Sequence, residues 1–118
     1  MTAEKDDLRL LEVVELSSFA READVLLSRE DLALLTGELA THRQLGSVIR
    51  GTGGLRKVRW GAQGRGKRGG VRVIYYYGGD HMPLFLIAIY AKSEKADLSQ
   101  AERKAAAKLI EVLRREYD

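Results

Sequence analysis

The sequence predicts an α+β domain: a small, mainly antiparallel β-sheet packed with two N-terminal helices and one C-terminal helix, in the order βααβββα. Three observations predict it. Apolar residues recur at helical spacing near both ends of the chain. Alternating and continuous apolar runs fill its middle, separated by glycine-rich breaks. The chain has 118 residues, enough for a single domain over 1–118 with one modest core.

Each element has its own signal. Leu10 to Leu16, holding Val13 and Val14, reads as a short first strand. Ser17 and Ser18 are placed to cap a helix whose buried face is Phe19, Ala23, Leu26 and Leu27. Ser28-Arg29-Glu30-Asp31 resembles a capping box and starts a second helix with Leu32, Leu35 and Leu39 on one face, ending near His42 to Gly46. Leu55 to Trp60 interleaves apolar residues with Arg56, Lys57 and Arg59, as a half-exposed strand does. Gly61 to Gly70 is a glycine-rich basic loop. Val71 to Tyr77 is rich in β-branched and aromatic residues and reads as a strand. Gly78-Gly79-Asp80-His81 reads as a hairpin turn. Pro83 to Ala91 is a near-continuous apolar strand expected in the centre of the sheet, with Pro83 at its first position. Ser99-Gln100-Ala101-Glu102 is a capping box opening a last helix to about Tyr117, with Ala105, Leu109, Val112 and Leu113 as its inner face.

Composition narrows the function. No cysteine is present, which excludes a disulfide framework and a thiolate metal site. No apolar run is long enough to span a bilayer, so no membrane partner is expected. Met1 to Asp7 is polar and acidic, without the pattern of a secretion signal, and a cytoplasmic protein is expected.

Charge is more telling in its distribution than in its total of +3. Residues 1–42 hold 4 Lys/Arg against 10 Asp/Glu, a balance of −6. Residues 43–79 hold 9 Lys/Arg and no acid, a balance of +9, and residues 80–118 hold 7 of each. A basic block this local points to a polyanion. Its members are Arg50, Arg56, Lys57, Arg59, Arg65, Lys67, Arg68 and Arg72, with Trp60 and many glycines among them. Arginine presents a planar fork that matches phosphate oxygens in pairs, and glycine lets the backbone approach a ligand. The competing reading is a solvated basic loop that aids solubility.

Other motifs carry less. Gly64-Arg65-Gly66-Lys67-Arg68-Gly69 has dinucleotide-binding spacing but lies between strands, where the motif has no helix to open. Gly51-Thr52-Gly53-Gly54-Leu55-Arg56-Lys57 lacks the spacing and terminal Ser or Thr of a phosphate loop. No nucleotide cofactor is therefore expected. His42 and His81 have no partner at metal-ligand spacing and read as exposed turn residues, so no metal site is expected. Ser99 is better explained as a helix cap than as a nucleophile. Tyr75 and Tyr77 share one strand face and Tyr76 the other, so one set is core and the other could stack on a base.

Three ordered segments resemble a known family. Gly51 to Trp60 (GTGGLRKVRW), Gly64 to Tyr77 (GRGKRGGVRVIYYY) and Tyr90 to Ser99 (YAKSEKADLS) are similar to the hallmarks of RelE-like HigB toxins of type II toxin–antitoxin systems, in the RelE/ParE superfamily. The resemblance runs from about residue 12 to about residue 113. It implies a microbial-RNase-like fold, ribosome-dependent cleavage of mRNA, and neutralisation by a cognate HigA-like antitoxin with a helix-turn-helix domain. It further implies that operator DNA is bound only through the antitoxin complex. By motif, Arg72 matches the family's phosphate-stabilising arginine and Lys92 a basic position of its active site. Arg65, Lys67 and Arg68 match its RNA-holding loop. Tyr90 and Glu94 fall in the third segment.

The expected chemistry is attack of a ribose 2′-OH on the adjacent phosphate, without a metal. No convincing pair of His or Glu is on offer, so electrostatic stabilisation is expected to dominate. Arg72 and Arg68 would stabilise the phosphorane. Lys92 would transfer a proton, if like charges lower its pKa, or hold a phosphate. Arg56, Lys57, Arg59, Arg65, Lys67, Tyr75 and Tyr90 would bind RNA. A ParE-like gyrase-inhibiting toxin and a non-catalytic RNA-binding regulator are the alternatives. The acidic residues Glu12, Glu15, Glu22, Asp24, Glu30, Asp31 and Glu38 read first as a solvated face and second as antitoxin contacts.

Overall fold

In the computed structural model the described residues are 10–62 and 70–118. The order of elements is β1 (Val13–Glu15), α1 (Ser17–Leu26), α2 (Arg29–Thr41), β2 (Ser47–Val48), β3 (Leu55–Ala62), β4 (Gly70–Tyr76), β5 (Leu84–Ala91) and α3 (Gln100–Tyr117). The five strands form one sheet in the order β1-β5-β4-β3-β2. β2 to β5 pair antiparallel, while β1 lies parallel to β5, with Val13 opposite Leu84. The predicted α+β class and helix placement therefore hold. β2 is an addition: two residues are too few to show a period in sequence. β4 holds the centre of the sheet, and β5 is interior between β4 and β1. The link between them spans 77–83, longer than a two-residue hairpin turn. Both sheet edges are very short strands, which limits edge-to-edge association.

Helices cover both faces of the sheet. Phe19 and Ala23 of α1 and Leu35 and Leu39 of α2 pack with Val58, Val71, Val73, Tyr75, Leu84 and Leu86. Ala106 and Ile110 of α3 pack on the other face with Leu55, Ile74, Tyr76, Phe85 and Ile87. This explains why all seven residues of β4 are buried. A strand between two covered faces reads as a continuous apolar run, not as an alternation.

Local chemistry sets the helix ends. Ser28 Oγ accepts from Asp31 N at 3.0 Å and starts α2. Ser17 and Ser18 do not cap α1: its N-cap is Leu16, which makes no side-chain cap. Ser18 instead donates its hydroxyl to the Ile87 carbonyl at 3.0 Å, because α1 lies against β5 there. α3 has the full capping box, with Glu102 N donating to Ser99 Oγ at 3.1 Å and Ser99 N to Glu102 Oε1 at 2.8 Å. Its inner face is Ala106 and Ile110, flanked by Leu109 and Leu113, whereas Ala105 and Val112 are exposed.

The Gly51–Gly54 segment is a turn, not a ligand cradle. Gly51, Gly53 and Gly54 have φ of 78°, 79° and 122°, a region side chains disfavour. Between them Thr52 is fully buried, donating to the Ile49 carbonyl at 2.6 Å and accepting from Leu55 N at 3.1 Å. The motif thus aims the chain into β3.

Candidate nucleic-acid interface

Side chains alternate across a strand, so directly paired residues on neighbouring strands share a face. Arg59 of β3 pairs with Arg72 of β4, and Arg72 pairs with Tyr90 of β5. These three residues form one row on the sheet face that α3 packs against. Lys57 lies in the next row, opposite Ile74. Lys92 follows β5 directly, is exposed, and donates its backbone N–H to the Gly70 carbonyl at 3.3 Å. The row therefore ends beside the start of β4.

Burial within the row is uneven. Arg72 is 6% exposed, while Arg59 is exposed. Two like charges directly opposite each other on adjacent strands oppose folding. Tyr90 is 6% exposed, and its hydroxyl is buried without a hydrogen-bond partner among the described residues. A buried polar group left unmade costs about 1–3 kcal/mol. Burial pushes the Tyr90 hydroxyl above the ordinary tyrosine range, the Asp97 carboxylate adds to the shift, and Arg72 opposes it. The group therefore stays an O–H donor at neutral pH. The Lys95 ammonium sits 5.0 Å from the centre of the Tyr90 ring, within cation–π range.

A strap over residues 92–99 borders the row. Asp97 accepts from Leu98 N at 2.9 Å, pairs with Arg103 at 3.2 Å and reaches Lys57 Nζ at 3.4 Å. The Leu98 N–H is the main cause that holds its carboxyl below the ordinary range, with Lys57 helping and burial opposing. Glu102 is likewise lowered, chiefly by Lys95 at 2.6 Å. An open hollow of about 440 Å³ runs along the outer edge of β3 between Leu45, Ser47, Lys57, Arg59 and Trp60. A larger hollow of about 780 Å³ lies away from the row by Glu38, His42, Arg43 and Tyr77. There Glu38 contacts His42 at 3.0 Å and Arg43 pairs with Asp80 at 3.0 Å.

The structure thus brings together Lys57, Arg59, Arg72 and Tyr90, with Lys92 at the end of the row. It separates two expected members. Arg56 points to the opposite face and donates to the Gly46 carbonyl at 2.7 Å, anchoring the chain before β2. Tyr75 is 0% exposed, with its hydroxyl donating to the Arg43 carbonyl at 3.0 Å and accepting from Gly46 N at 2.8 Å. A ring with no accessible face cannot stack on a base, so Tyr75 leaves the candidate set. Arg65, Lys67 and Arg68 lie outside the described residues. Glu94 is exposed, and its backbone closes a turn on Ala91. Sequence reasoning gave no role to Lys95 and Asp97, although both lie in the third family-like segment, and it missed Arg103. The one signal for Arg103 is its place next to the Ser99 capping box.

Among the described residues no group of three or more His, Cys, Asp or Glu could hold a metal ion. No helix among them is long and apolar enough to cross a membrane.

Fold and corner together define the class: a small α+β domain with helices on both sheet faces and a cationic row at one end of the sheet. A family model described as the RelE toxin of the RelE/RelB toxin–antitoxin system matches residues 17–116. The chain belongs to the RelE toxin family, as a toxin of a toxin–antitoxin system with an antitoxin as its partner.

Proposed function

We propose that this toxin is of the HigB type and cleaves mRNA on the ribosome, using the Arg59–Arg72–Tyr90 row to hold the scissile phosphate. The observation that carries this reading is the register that sets the buried Arg72 opposite Tyr90, whose buried hydroxyl has no hydrogen-bond partner among the described residues. A cation and a free O–H donor side by side suit a phosphate's oxygens. In the proposed reaction a ribose 2′-OH gives up its proton and attacks the adjacent phosphorus in line. The bond to the 5′-oxygen of the next nucleotide breaks, and that oxygen leaves protonated beside a 2′,3′-cyclic phosphate. Arg72, with Arg68 of the basic sequence segment before β4, stabilises the charge that grows on the phosphorane. Tyr90 donates to the same oxygens. Lys92 transfers a proton or holds a neighbouring phosphate. Lys57, Arg59, Arg65 and Lys67 track the RNA backbone. The chemistry is electrostatic and asks for no metal. Dependence on the ribosome follows, since the row offers charge but little to orient the attacking hydroxyl, and the ribosome would supply that geometry.

The site acts in the cytoplasm, where ribosomes are, and a HigA-like antitoxin with a helix-turn-helix domain neutralises it. Operator DNA is bound only through that complex. The test is induced expression of the wild type and Arg72→Ala, with RNA ends mapped and folding verified by circular dichroism. Removing one such stabilising cation lowers the cleavage rate about 10²–10³-fold. A folded Arg72→Ala toxin that cuts mRNA normally would reject the site. DNA damage with intact mRNA would point instead to gyrase, as for ParE-like relatives.

A further inference from the structure

Asp97 is a carboxylate at the rim of a site built for anions, where it should repel RNA. It is held there by design of the strap. Leu98 N–H fixes Oδ1 and Arg103 fixes Oδ2. Arg103 is itself anchored, donating to the Leu98 carbonyl at 3.4 Å and to the Arg50 carbonyl at 3.1 Å. The strap, the turn before β3 and the first turns of α3 are thereby joined through one guanidinium. What this anchored carboxylate reaches is Lys57, forty positions away in sequence. Lys57 stands one row from Arg72 on the same face. Its long side chain has several rotors, and fixing it costs conformational entropy. An anion fixed from both sides directs that ammonium before substrate arrives. An exposed ion pair contributes little to stability. Its effect here is therefore on where Lys57 points.

We infer that Asp97 is a positioning residue that holds the Lys57 ammonium in place for a backbone phosphate of the RNA. The inference rests on the RNA-cleavage reading of the site. Asp97 touches no substrate and acts through Lys57. RNA and Asp97 share the same ammonium, so the carboxylate orders the lysine at the expense of some RNA affinity.

The experiment is single-turnover cleavage of mRNA on programmed ribosomes, with the RNA dissociation constant measured in parallel. The variants are Asp97→Asn, Asp97→Glu, Lys57→Ala, the Lys57→Ala/Asp97→Asn pair and Arg72→Ala. Asp97→Asn should slow cleavage roughly tenfold, the size of a typical coupling between contacting residues. Its RNA binding should stay equal or tighten, because a negative charge has left the site. Asp97→Glu should recover part of the rate. In the Lys57→Ala background Asp97→Asn should cost nothing further. A role confined to holding the strap together would weaken binding as well, and would cost the same in both backgrounds. That equal loss overturns the inference, as does an Asp97→Asn toxin of wild-type rate beside an inactive Arg72→Ala. An Arg72→Ala toxin of wild-type rate overturns the cleavage site itself and this inference with it. The Arg72 arm thus tells the two failures apart.

Discussion

The Tyr75 hydroxyl serves two backbone groups at once, the Arg43 carbonyl and the Gly46 N–H. Tyr75→Phe takes the acceptor from the buried Gly46 N–H and the tyrosine donor from the Arg43 carbonyl. The expected loss of stability is about 1–3 kcal/mol, read from urea denaturation. A loss under about 0.5 kcal/mol would mean that water replaces the hydroxyl. Burial raises the Tyr75 hydroxyl above its ordinary range. The unfolded chain therefore releases this proton first as pH climbs past about 10. The contribution is full below that pH and is lost above it. Tyr75→Phe should remove part of the alkaline loss. At this scale the sequence was legible by type but not by partner. Tyr75 and Tyr90 are both strand tyrosines near basic residues. Only the helices packed above them separate a sealed ring from one whose hydroxyl faces an ionic corner. Gly46 adds a neighbouring case: a Cβ there would meet the Lys57 carbonyl oxygen at 2.8 Å. Backbone on that side cannot give way cheaply, so Gly46→Ala should cost about 1–3 kcal/mol.

α3 shows how one element carries both stability and site geometry. Its capping box satisfies its first N–H groups, and the same Glu102 holds Lys95 over Tyr90. Ser99→Ala should cost about 1 kcal/mol. For a domain of this size that lowers Tm by about 4 °C. An unchanged Tm would show that water caps the helix equally well. Asp97 and Glu102 beside this cap both have lowered carboxyl pKa values. In the unfolded chain they take up protons near their ordinary range of about 4, and in the fold only below it. Their contribution is present above that range and is lost as pH falls through it. Both are largely exposed, so solvent screens the effect. Acid titration of Asp97→Asn should show a shallower loss than the wild type. The capping box was legible because three residues in a row specify it. The inner face was misread by one position, from Ala105 to Ala106. The chain offers apolar residues at both offsets, and only the sheet decides which set is covered. β2 left no signal, since its two residues gain their strand geometry from Lys57 and Arg56 across the ladder.

Across the whole molecule, charge is sorted by sheet face. α1 and α2, which hold Glu22, Asp24, Glu30, Asp31 and Glu38 against Arg21 and Arg29, cover one face. The other face carries Lys57, Arg59 and Arg72 at the end that α3 leaves open. Sequence counting revealed the basic block, and the alternation of strand side chains then divided it. Arg56 and Arg59 were equivalent members in sequence, yet an odd difference in position puts them on opposite faces. This division gives a test that net charge alone would fail. If the row tracks a single strand of RNA, each phosphate it neutralises adds about −0.7 to the slope of log K against log salt concentration. Arg59→Ala should then make the slope shallower by about 0.7. Arg56→Ala removes the same charge but should leave the slope as it is, while lowering stability because the Gly46 carbonyl loses its donor. Equal changes of slope for the two variants would mean that RNA responds to total charge and not to a defined face. In that case the row would have no special standing as the place where the backbone is held.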